Sequence, residues 1–162
     1  NRKHFAFKNW NDWDQDLFIN ILKTLTKKIK KKIPKIYGFE KSNNTFKKAD
    51  FNIKNSNLSG FISVSNRDFF SSVKSHKGNL HIIVNPPYGV RIGTELSKIY
   101  GLIGDTLKKN YQNTNAWLIS SNFDALKKIG LKSSMKFKIY NGKLESKFLK
   151  YEIYHGSKKK KS

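Results

Sequence analysis

The spacing of apolar residues in the first third of the chain predicts two helices around a strand. From about residue 12 to residue 32, apolar side chains recur every three or four positions and lysines fill the opposite face, which predicts an amphipathic helix. Pro34 ends that pattern, and "KIYGFE" at 35–40 predicts a short strand that closes on an acidic residue. A second helix is predicted over 42–55, because Ser42 is a favoured capping residue and apolar side chains then fall on one face.

The middle of the chain continues this alternation of strands and helices. The runs "FISVS" at 61–65 and "NAWLISS" at 115–121 predict strands. The run "NLHIIVN" at 79–85 is continuously apolar, which is typical of a strand buried on both faces of a parallel sheet. Apolar residues at helical spacing predict helices over 95–109 and 123–130.

The last part of the chain predicts an antiparallel hairpin. Segments 131–140 and 143–154 are β-rich and join at Asn141-Gly142, the strongest short hairpin signal that a sequence offers. Strands that alternate with helices, followed by such a hairpin, predict an α/β fold with a mostly parallel sheet and an antiparallel edge.

The charge balance adds a polyanionic partner to this picture. The chain carries 33 Lys and Arg against 11 Asp and Glu, a formal net charge of +22. Such a charge exceeds what solubility requires and destabilises the compact state by self-repulsion, so nucleic acid is the first candidate partner. An AT-rich genome also enriches lysine, but that bias alone should raise the acidic residues alongside it. Candidate phosphate contacts are Lys27, Lys28, Lys31 and Arg91, and the alternative for each is an ordinary solvated charge.

The composition also excludes several kinds of protein. The 162 residues amount to one domain, and they include no cysteine and only scattered histidines, so we expect no disulfide framework and no metal site. No apolar run approaches about 18 residues and no leader pattern is present, so we expect no membrane association and a cytoplasmic location. The start at Asn1, without an initiator Met, predicts a fragment. The oligomeric state is left open.

Polar side chains close three successive predicted strands. In an open parallel sheet, ligands bind at the carboxyl ends of the strands, which is where Glu40, Asp68 and Asn85 fall. We therefore expect these three strand ends to form one binding site. The alternatives are a solvated carboxylate for Glu40 and a turn-former or helix cap for Asp68.

The tetrapeptide Asn85-Pro86-Pro87-Tyr88 carries the chemistry of this predicted site. Two prolines fix φ and remove two backbone donors, which leaves a stiff turn whose carbonyls are acceptors only. Asn85 adds a side-chain carbonyl, and Tyr88 adds an aromatic face. This set suits the exocyclic amine of a nucleobase, which can donate to Asn85 and to the Pro86 carbonyl while its ring stacks on Tyr88. The alternative is a rigid turn that only leads the chain away from the strand.

These residues resemble a known group of enzymes. Asn-Pro-Pro-Tyr after a buried strand is similar to the motif of class I S-adenosylmethionine-dependent methyltransferases that modify planar amino groups. The wider pattern resembles the THUMP-containing RNA methylase family, specifically the bacterial 23S rRNA guanine-N2-methyltransferases. The stretches that carry the likeness are "FAFKNWNDWDQDLF" (5–18), "IYGFEKS" (36–42), "NPPYGVRIG" (85–93) and "YNGKLESKFLKYEIYHGSK" (140–158).

The resemblance implies a Rossmann-like class I methyltransferase fold, with helices on both faces of the sheet. It also implies S-adenosylmethionine as the methyl donor and RNA, in particular 23S rRNA, as the substrate. By the resemblance, Glu40 binds the ribose hydroxyls of the donor, Asp68 approaches its adenine, and Asn85 lies beside it. Residues 85 to 88 then hold the target amine.

Several parts of the family pattern are absent from these residues: the first strand, the glycine-rich loop that binds methionine, and the THUMP domain. We therefore interpret residues 1–156 as the C-terminal portion of a methyltransferase domain, followed by a basic tail at 157–162 that we expect to be disordered. Without the central strand, the sheet should be open between the strand that ends at Glu40 and the strand that ends at Asn85. We expect these residues alone to bind the donor weakly or not at all, and to be inactive.

The predicted function is N-methylation of an exocyclic amine of RNA, at guanine N2 in 23S rRNA, as part of a longer enzyme. Adenine N6 or a tRNA guanine stays open as the target, because the tetrapeptide recognises an amine more than a particular base. The alternative from another class is a non-catalytic RNA-binding module on a methyltransferase-like scaffold. The charge and the absent donor loop are the observations that support this alternative.

Overall fold

The computed structural model of the chain describes residues 4–30, 33–87 and 93–156. The chain divides into two compact units, Asn1–Asp68 and Phe69–Ser162, and each is described by itself.

The first unit contains a parallel strand pair connected by a helix. Its elements, in chain order, are a 3-10 turn at Ala6–Asn9, α1 (Gln15–Lys27), β1 (Ile36–Glu40), α2 (Asn43–Asn55) and β2 (Ile62–Asn66). β1 pairs with β2 in parallel, with Ile36 opposite Ile62 and Glu40 opposite Asn66, and α2 packs on both strands. The two strands therefore end at the same edge.

Helix α1 is shorter than the predicted helix and keeps its apolar face exposed. Asp14 caps its first turn, because the Asp14 carboxylate accepts a hydrogen bond from the Leu17 amide at 2.8 Å. Helix α2 begins where the sequence predicts, with the Ser42 hydroxyl accepting from the Thr45 amide at 3.4 Å. The apolar side chains of α1 that stay exposed are Leu17, Ile21, Leu22 and Leu25.

The second unit is a four-stranded mixed sheet with two helices. Its elements, in chain order, are β3 (Leu80–Val84), α3 (Gly93–Asn110), β4 (Thr114–Ser120), α4 (Phe123–Lys127), β5 (Met135–Asn141) and β6 (Leu144–Ile153), with a 3-10 turn before them at Phe69–Ser71. The strand order is β3-β4-β6-β5. β3 and β4 are parallel, and β6 is antiparallel to both β4 and β5. The predicted α/β fold with parallel strands and a terminal antiparallel hairpin is confirmed.

The buried core of the described residues lies in the second unit. Alternate residues of β4 are buried, which places one face of this strand against the helices and leaves the other half-exposed. The core side chains come from α3, α4, β4 and β6 and include Leu96, Tyr100, Ile103, Leu107, Ala116, Leu118, Leu126, Leu149, Tyr151 and Ile153.

Gly104 permits a close approach between α3 and the segment that follows α4. A Cβ at this position would lie 1.9 Å from the Ile129 carbonyl oxygen, so any side chain would force the backbone apart. Helix α4 ends at Lys127, three residues earlier than predicted, and Gly130 turns the chain with a φ of +63°.

The prediction that the run at 79–85 is buried on both faces is wrong. β3 alternates between half-buried and exposed residues, and the Ile83 side chain is 76% exposed. The physical reason is that β3 is an edge strand, which pairs only with β4 among the described residues. Its apolar composition matched a central strand, but composition does not report the number of neighbours.

The hairpin turn lies one residue later than predicted. Asn141 still pairs with Leu144 across the hairpin, so the two-residue turn is Gly142-Lys143. Gly142 adopts a φ of +63° at the first central position, which is the place of glycine in a type II′ turn.

The strands form two separate sheets rather than one. This division agrees with the opening expected between the strand that ends at Glu40 and the strand preceding Asn85. Within the described ranges, no helix has both the length and the apolar character that crossing a membrane requires.

Burial raises the pKa of the Tyr151 hydroxyl to about 12, and the neighbouring Tyr100 adds to the shift. The folded protein therefore keeps this proton to a higher pH than the unfolded chain, which loses it near its ordinary pKa of 10.0. The resulting stabilisation is complete below pH 10.0 and is lost as the pH rises to about 12.

We expect Tyr151→Phe to make the free energy of unfolding fall less steeply than in the wild type over this alkaline range. Denaturant unfolding at a series of pH values measures the difference, with Tyr37→Phe as the control because the Tyr37 side chain is 61% exposed. An identical pH dependence for Tyr151→Phe and the wild type would contradict the prediction.

Candidate active site at the strand ends

One group of predicted site residues lies in the first unit, where β1 and β2 end. The Asn66 side-chain amide donates to the carbonyl oxygens of Glu40 at 2.8 Å and Lys41 at 3.0 Å. The Arg67 backbone amide donates to the same Glu40 carbonyl at 3.1 Å. Asn66 therefore fixes the path of the chain as it leaves the neighbouring strand, a role that the sequence analysis missed.

The Glu40 carboxylate is oriented by the start of α2. Its Oε1 accepts a hydrogen bond from the Ser42 backbone amide at 2.7 Å, and Ser42 is the capping residue of that helix. Within the described part of the chain, the other oxygen, Oε2, makes no hydrogen bond or ion pair. One oxygen thus holds the group in place while the other is available, an arrangement that suits the paired hydroxyls of a ribose.

Asp68 lies two residues after β2 and forms an ion pair. Its Oδ2 is 2.9 Å from the Lys41 Nζ, and the Lys41 side chain is largely exposed. An exposed pair of this kind contributes little stability. It does neutralise the Asp68 charge locally, so a ligand that uses this carboxylate has to share it with Lys41. Asp68 thus pairs with the lysine that follows Glu40 in sequence, and both predicted residues lie at the edge of the first unit where β1 and β2 end.

A separate group of predicted site residues follows β3 in the second unit. Asn85 and Pro87 are exposed, whereas Pro86 is buried between them. The Pro87 carbonyl oxygen accepts a hydrogen bond from the Tyr100 hydroxyl at 3.2 Å. Asn85, Pro86 and Pro87 therefore form an anchored turn that presents the Asn85 side chain to solvent. Three predicted residues, Tyr88, Arg91 and Lys31, lie outside the described residues.

Strand β4 ends beside this turn with a second polar group. Val84 at the end of β3 pairs with Leu118, two residues before Ser120. The Ser120 Oγ lies 2.6 Å from the Tyr100 hydroxyl oxygen and accepts from the Asn122 backbone amide at 3.0 Å. Tyr100 and Ser120 could not be singled out from the sequence, because a tyrosine on the apolar face of a helix and a serine at a strand end carry no separate signal.

The two described lysines of the predicted RNA contact lie at the end of α1. Lys27 is the last residue of the helix and Lys28 is its C-cap, and both are exposed. Their exposure is compatible with a phosphate contact and equally with solvation.

The model of the family described as UPF0020, an RMKL-like methyltransferase domain, matches residues 1–150. The chain belongs to this family. A Synechocystis protein named "Putative RNA methyltransferase slr0064" is 33% identical to this UPF0020 domain over 153 residues, which are 93% of this chain and 40% of that protein.

One further relative and one solved structure are also longer than this chain. The ribosomal RNA large subunit methyltransferase K/L of Methylococcus capsulatus is 29% identical over 157 residues, which are 94% of this chain and 21% of that protein. The crystal structure of SMU.472, described as a putative methyltransferase complexed with SAH, shares the fold with a TM-score of 0.79 at 23% identity. The match covers 95% of this chain and 41% of that one. The UPF0020 domain thus spans less than half the length of these relatives.

We expect Asn66→Ala to loosen the chain where β1 and β2 end. Loss of the two hydrogen bonds to the Glu40 and Lys41 carbonyls costs about 1 kcal/mol, so the Arg67 amide should exchange with solvent about fivefold faster. Hydrogen exchange followed by NMR measures this rate. Ser65→Ala, which truncates an exposed side chain of the same strand, is the control. Equal Arg67 exchange rates in Asn66→Ala and the wild type would show that Asn66 does not hold this turn.

Proposed function

We propose that this UPF0020 domain is the amine-binding part of an RNA methyltransferase that transfers a methyl group from S-adenosylmethionine to guanine N2 in 23S rRNA. The observation that carries the proposal is the anchored turn of Asn85, Pro86 and Pro87 at the end of a parallel strand in a chain of a methyltransferase family. The names of the relatives support RNA as the substrate class. The cytoplasm, where ribosomal RNA is made in bacteria, is the proposed location.

The turn is suited to a planar amine because it offers acceptors in fixed positions. The rings of Pro86 and Pro87 fix two φ angles, so the backbone carbonyls keep their directions without ladder hydrogen bonds. We assign the Asn85 side-chain oxygen and the Pro86 carbonyl as the acceptors for the two amine hydrogens. The Pro87 carbonyl is less suited to this role because it already accepts from Tyr100. Tyr88 follows in sequence, and we assign its ring to stacking on the base.

The residues at the ends of β1 and β2 fit the nucleoside end of the methyl donor. Glu40 is held through Oε1 and keeps Oε2 available, and this carboxylate would bind the ribose hydroxyls. Asp68 would approach the adenine if it exchanges part of its pairing with Lys41. We propose that the methionine end of the molecule is bound by the glycine-rich loop of the longer enzyme.

S-adenosylmethionine, when bound, supplies an electrophilic methyl group on a sulfonium sulfur. The chain's own contribution is to hold the amine so that its nitrogen lone pair is directed away from the two acceptors. The hydrogens become more positive as the nitrogen forms its new bond, so the Asn85 and Pro86 oxygens bind the transition state more strongly than the ground state. The surplus proton of the methylated amine then leaves to solvent, and no side chain with an unusual pKa is required.

We expect Asn85→Ala to reduce turnover by about two orders of magnitude, because one of two acceptors for the developing charge is lost. RNA affinity should change little, since phosphate contacts dominate it. Steady-state methyl transfer and RNA binding measured on the complete gene product separate the two effects.

Asn20→Ala, which truncates an exposed asparagine in α1, is the matched control and should behave as the wild type. If Asn85→Ala also leaves turnover unchanged, the chain is not the amine-binding part of a catalyst, and a non-catalytic RNA-binding module is the better account.

The net charge of +22 motivates a second test of the proposed RNA contact. We expect the double substitution Lys27→Ala and Lys28→Ala to weaken RNA binding and to reduce the slope of log K against log salt by about 1 for each lysine that contacts a phosphate. Turnover at saturating RNA should be unchanged.

The control for this test is Lys54→Ala on α2. The Lys54 Nζ lies 2.6 Å from the Asp50 carboxylate, so this charge is already neutralised within the protein. An unchanged salt slope in the double variant would exclude the end of α1 from the RNA contact.

A further inference from the structure

A series of hydrogen bonds, buried at its centre and part-buried at both ends, connects the end of β4, through α3, to the turn at the end of β3. Tyr100 and Ser120 are both 0% exposed. Their hydroxyl oxygens are 2.6 Å apart, the Tyr100 hydroxyl lies 3.2 Å from the Pro87 carbonyl, and the Asn122 amide lies 3.0 Å from the Ser120 Oγ. The three contacts form one continuous chain of donors and acceptors.

The direction of each proton in this series follows from chemistry. A carbonyl can only accept, so the single Tyr100 hydroxyl proton is donated to Pro87. The Ser120 hydroxyl must then donate to the Tyr100 oxygen. The Asn122 amide donates to Ser120 in turn, so all three bonds point the same way. Bonds aligned in this manner polarise one another inside a protein.

The turn needs such an anchor because its own backbone cannot supply one. Pro86 and Pro87 have no N–H, so neither can hold the chain through a ladder bond on the donor side. Tyr100 is the described side chain that bonds to the turn, and it comes from the middle of α3. The Tyr100 contact therefore holds the chain one peptide away from the Pro86 carbonyl.

We propose that Tyr100 and Ser120 are positioning residues for the amine-binding turn, with Tyr100 fixing the Pro87 carbonyl and Ser120 fixing the Tyr100 hydroxyl. This inference rests on the proposed function of Asn85 and Pro86. It assigns to α3 and β4 a role in placing the acceptors, in addition to their role in the core.

The same unit contains a natural control for this proposal. The Tyr111 hydroxyl lies 2.6 Å from the Ser72 Oγ, and both of these residues are also buried. This second pair has the same chemistry, but no bond connects it to the turn among the described residues. Tyr111→Phe therefore removes a comparable hydrogen bond without touching the proposed amine site.

The first experiment compares Tyr100→Phe, Ser120→Ala and Tyr111→Phe in the complete gene product. We expect similar falls in melting temperature for the two tyrosine variants. We expect kcat to fall about tenfold in Tyr100→Phe and less in Ser120→Ala, with KM for RNA changed less than about threefold. The reason is that a displaced acceptor weakens the stabilisation of the transition state more than it weakens RNA binding. Tyr111→Phe should keep the wild-type kcat.

The second experiment reads the turn directly and does not require activity. The dipeptide Pro-Tyr occurs once in the sequence, at 87–88, so labelling with 13C-carbonyl proline and 15N tyrosine marks this one peptide of the chain. We expect the Pro87 carbonyl resonance to shift in Tyr100→Phe and in Ser120→Ala and to stay in place in Tyr111→Phe.

The outcomes separate this inference from the proposed function. Tyr100→Phe could shift the carbonyl resonance and keep the wild-type kcat, while Asn85→Ala loses turnover. That result would overturn positioning by Tyr100, and the proposed function would stand. If the resonance does not move, the inference fails regardless of activity. If Asn85→Ala retains turnover, the proposed function fails. Should Tyr100→Phe not fold, Ser120→Ala, which leaves the tyrosine ring in place, decides the question by the same two readouts.

Discussion

The missing backbone donors of Pro86 and Pro87 are the constraint around which the second unit is built. A strand that ends on two prolines cannot be held by its own ladder, so the chain at this point must be fixed by groups from elsewhere in the fold. The Tyr100 hydroxyl supplies that bond, and Tyr100 can do so only if α3 packs against the sheet at a fixed height. The close approach at Gly104 and the buried cluster on α3 provide that packing. The packing of the core therefore also determines the geometry of the turn.

In the first unit, the chain at the strand ends is held by side chains near the surface. Asn66 joins the ends of β1 and β2 by donating to two carbonyls, and the start of α2 orients the Glu40 carboxylate. No described residue of this unit is fully buried, and the apolar face of α1 is exposed. The strand ends of the first unit are thus held in place by a few polar contacts, whereas those of the second unit are held by a packed interior.

Much of this arrangement could be predicted from the sequence, because it follows from local chemistry. The cap at Ser42, the alternation of strands and helices, and the terminal hairpin all depend on residues close together in the chain. The Asn-Pro-Pro turn could be found because prolines after an apolar run are unusual. The edge position of β3 could not be predicted, since a hydrophobic run does not reveal how many strands flank it. Tyr100 and Ser120 could not be predicted either, because their contacts join residues that are separated in sequence and are decided by tertiary packing.

We propose that the turn after β3 presents a nucleobase amine for methylation. The most direct measurement is to incubate the complete gene product with labelled S-adenosylmethionine and unmodified 23S rRNA, and to identify the methylated nucleoside by mass spectrometry. We expect the label in N2-methylguanosine. Label in N6-methyladenosine would contradict the assigned base, and label on a ring carbon, on a ribose oxygen or on no nucleoside at all would contradict the claim that the turn presents an amine.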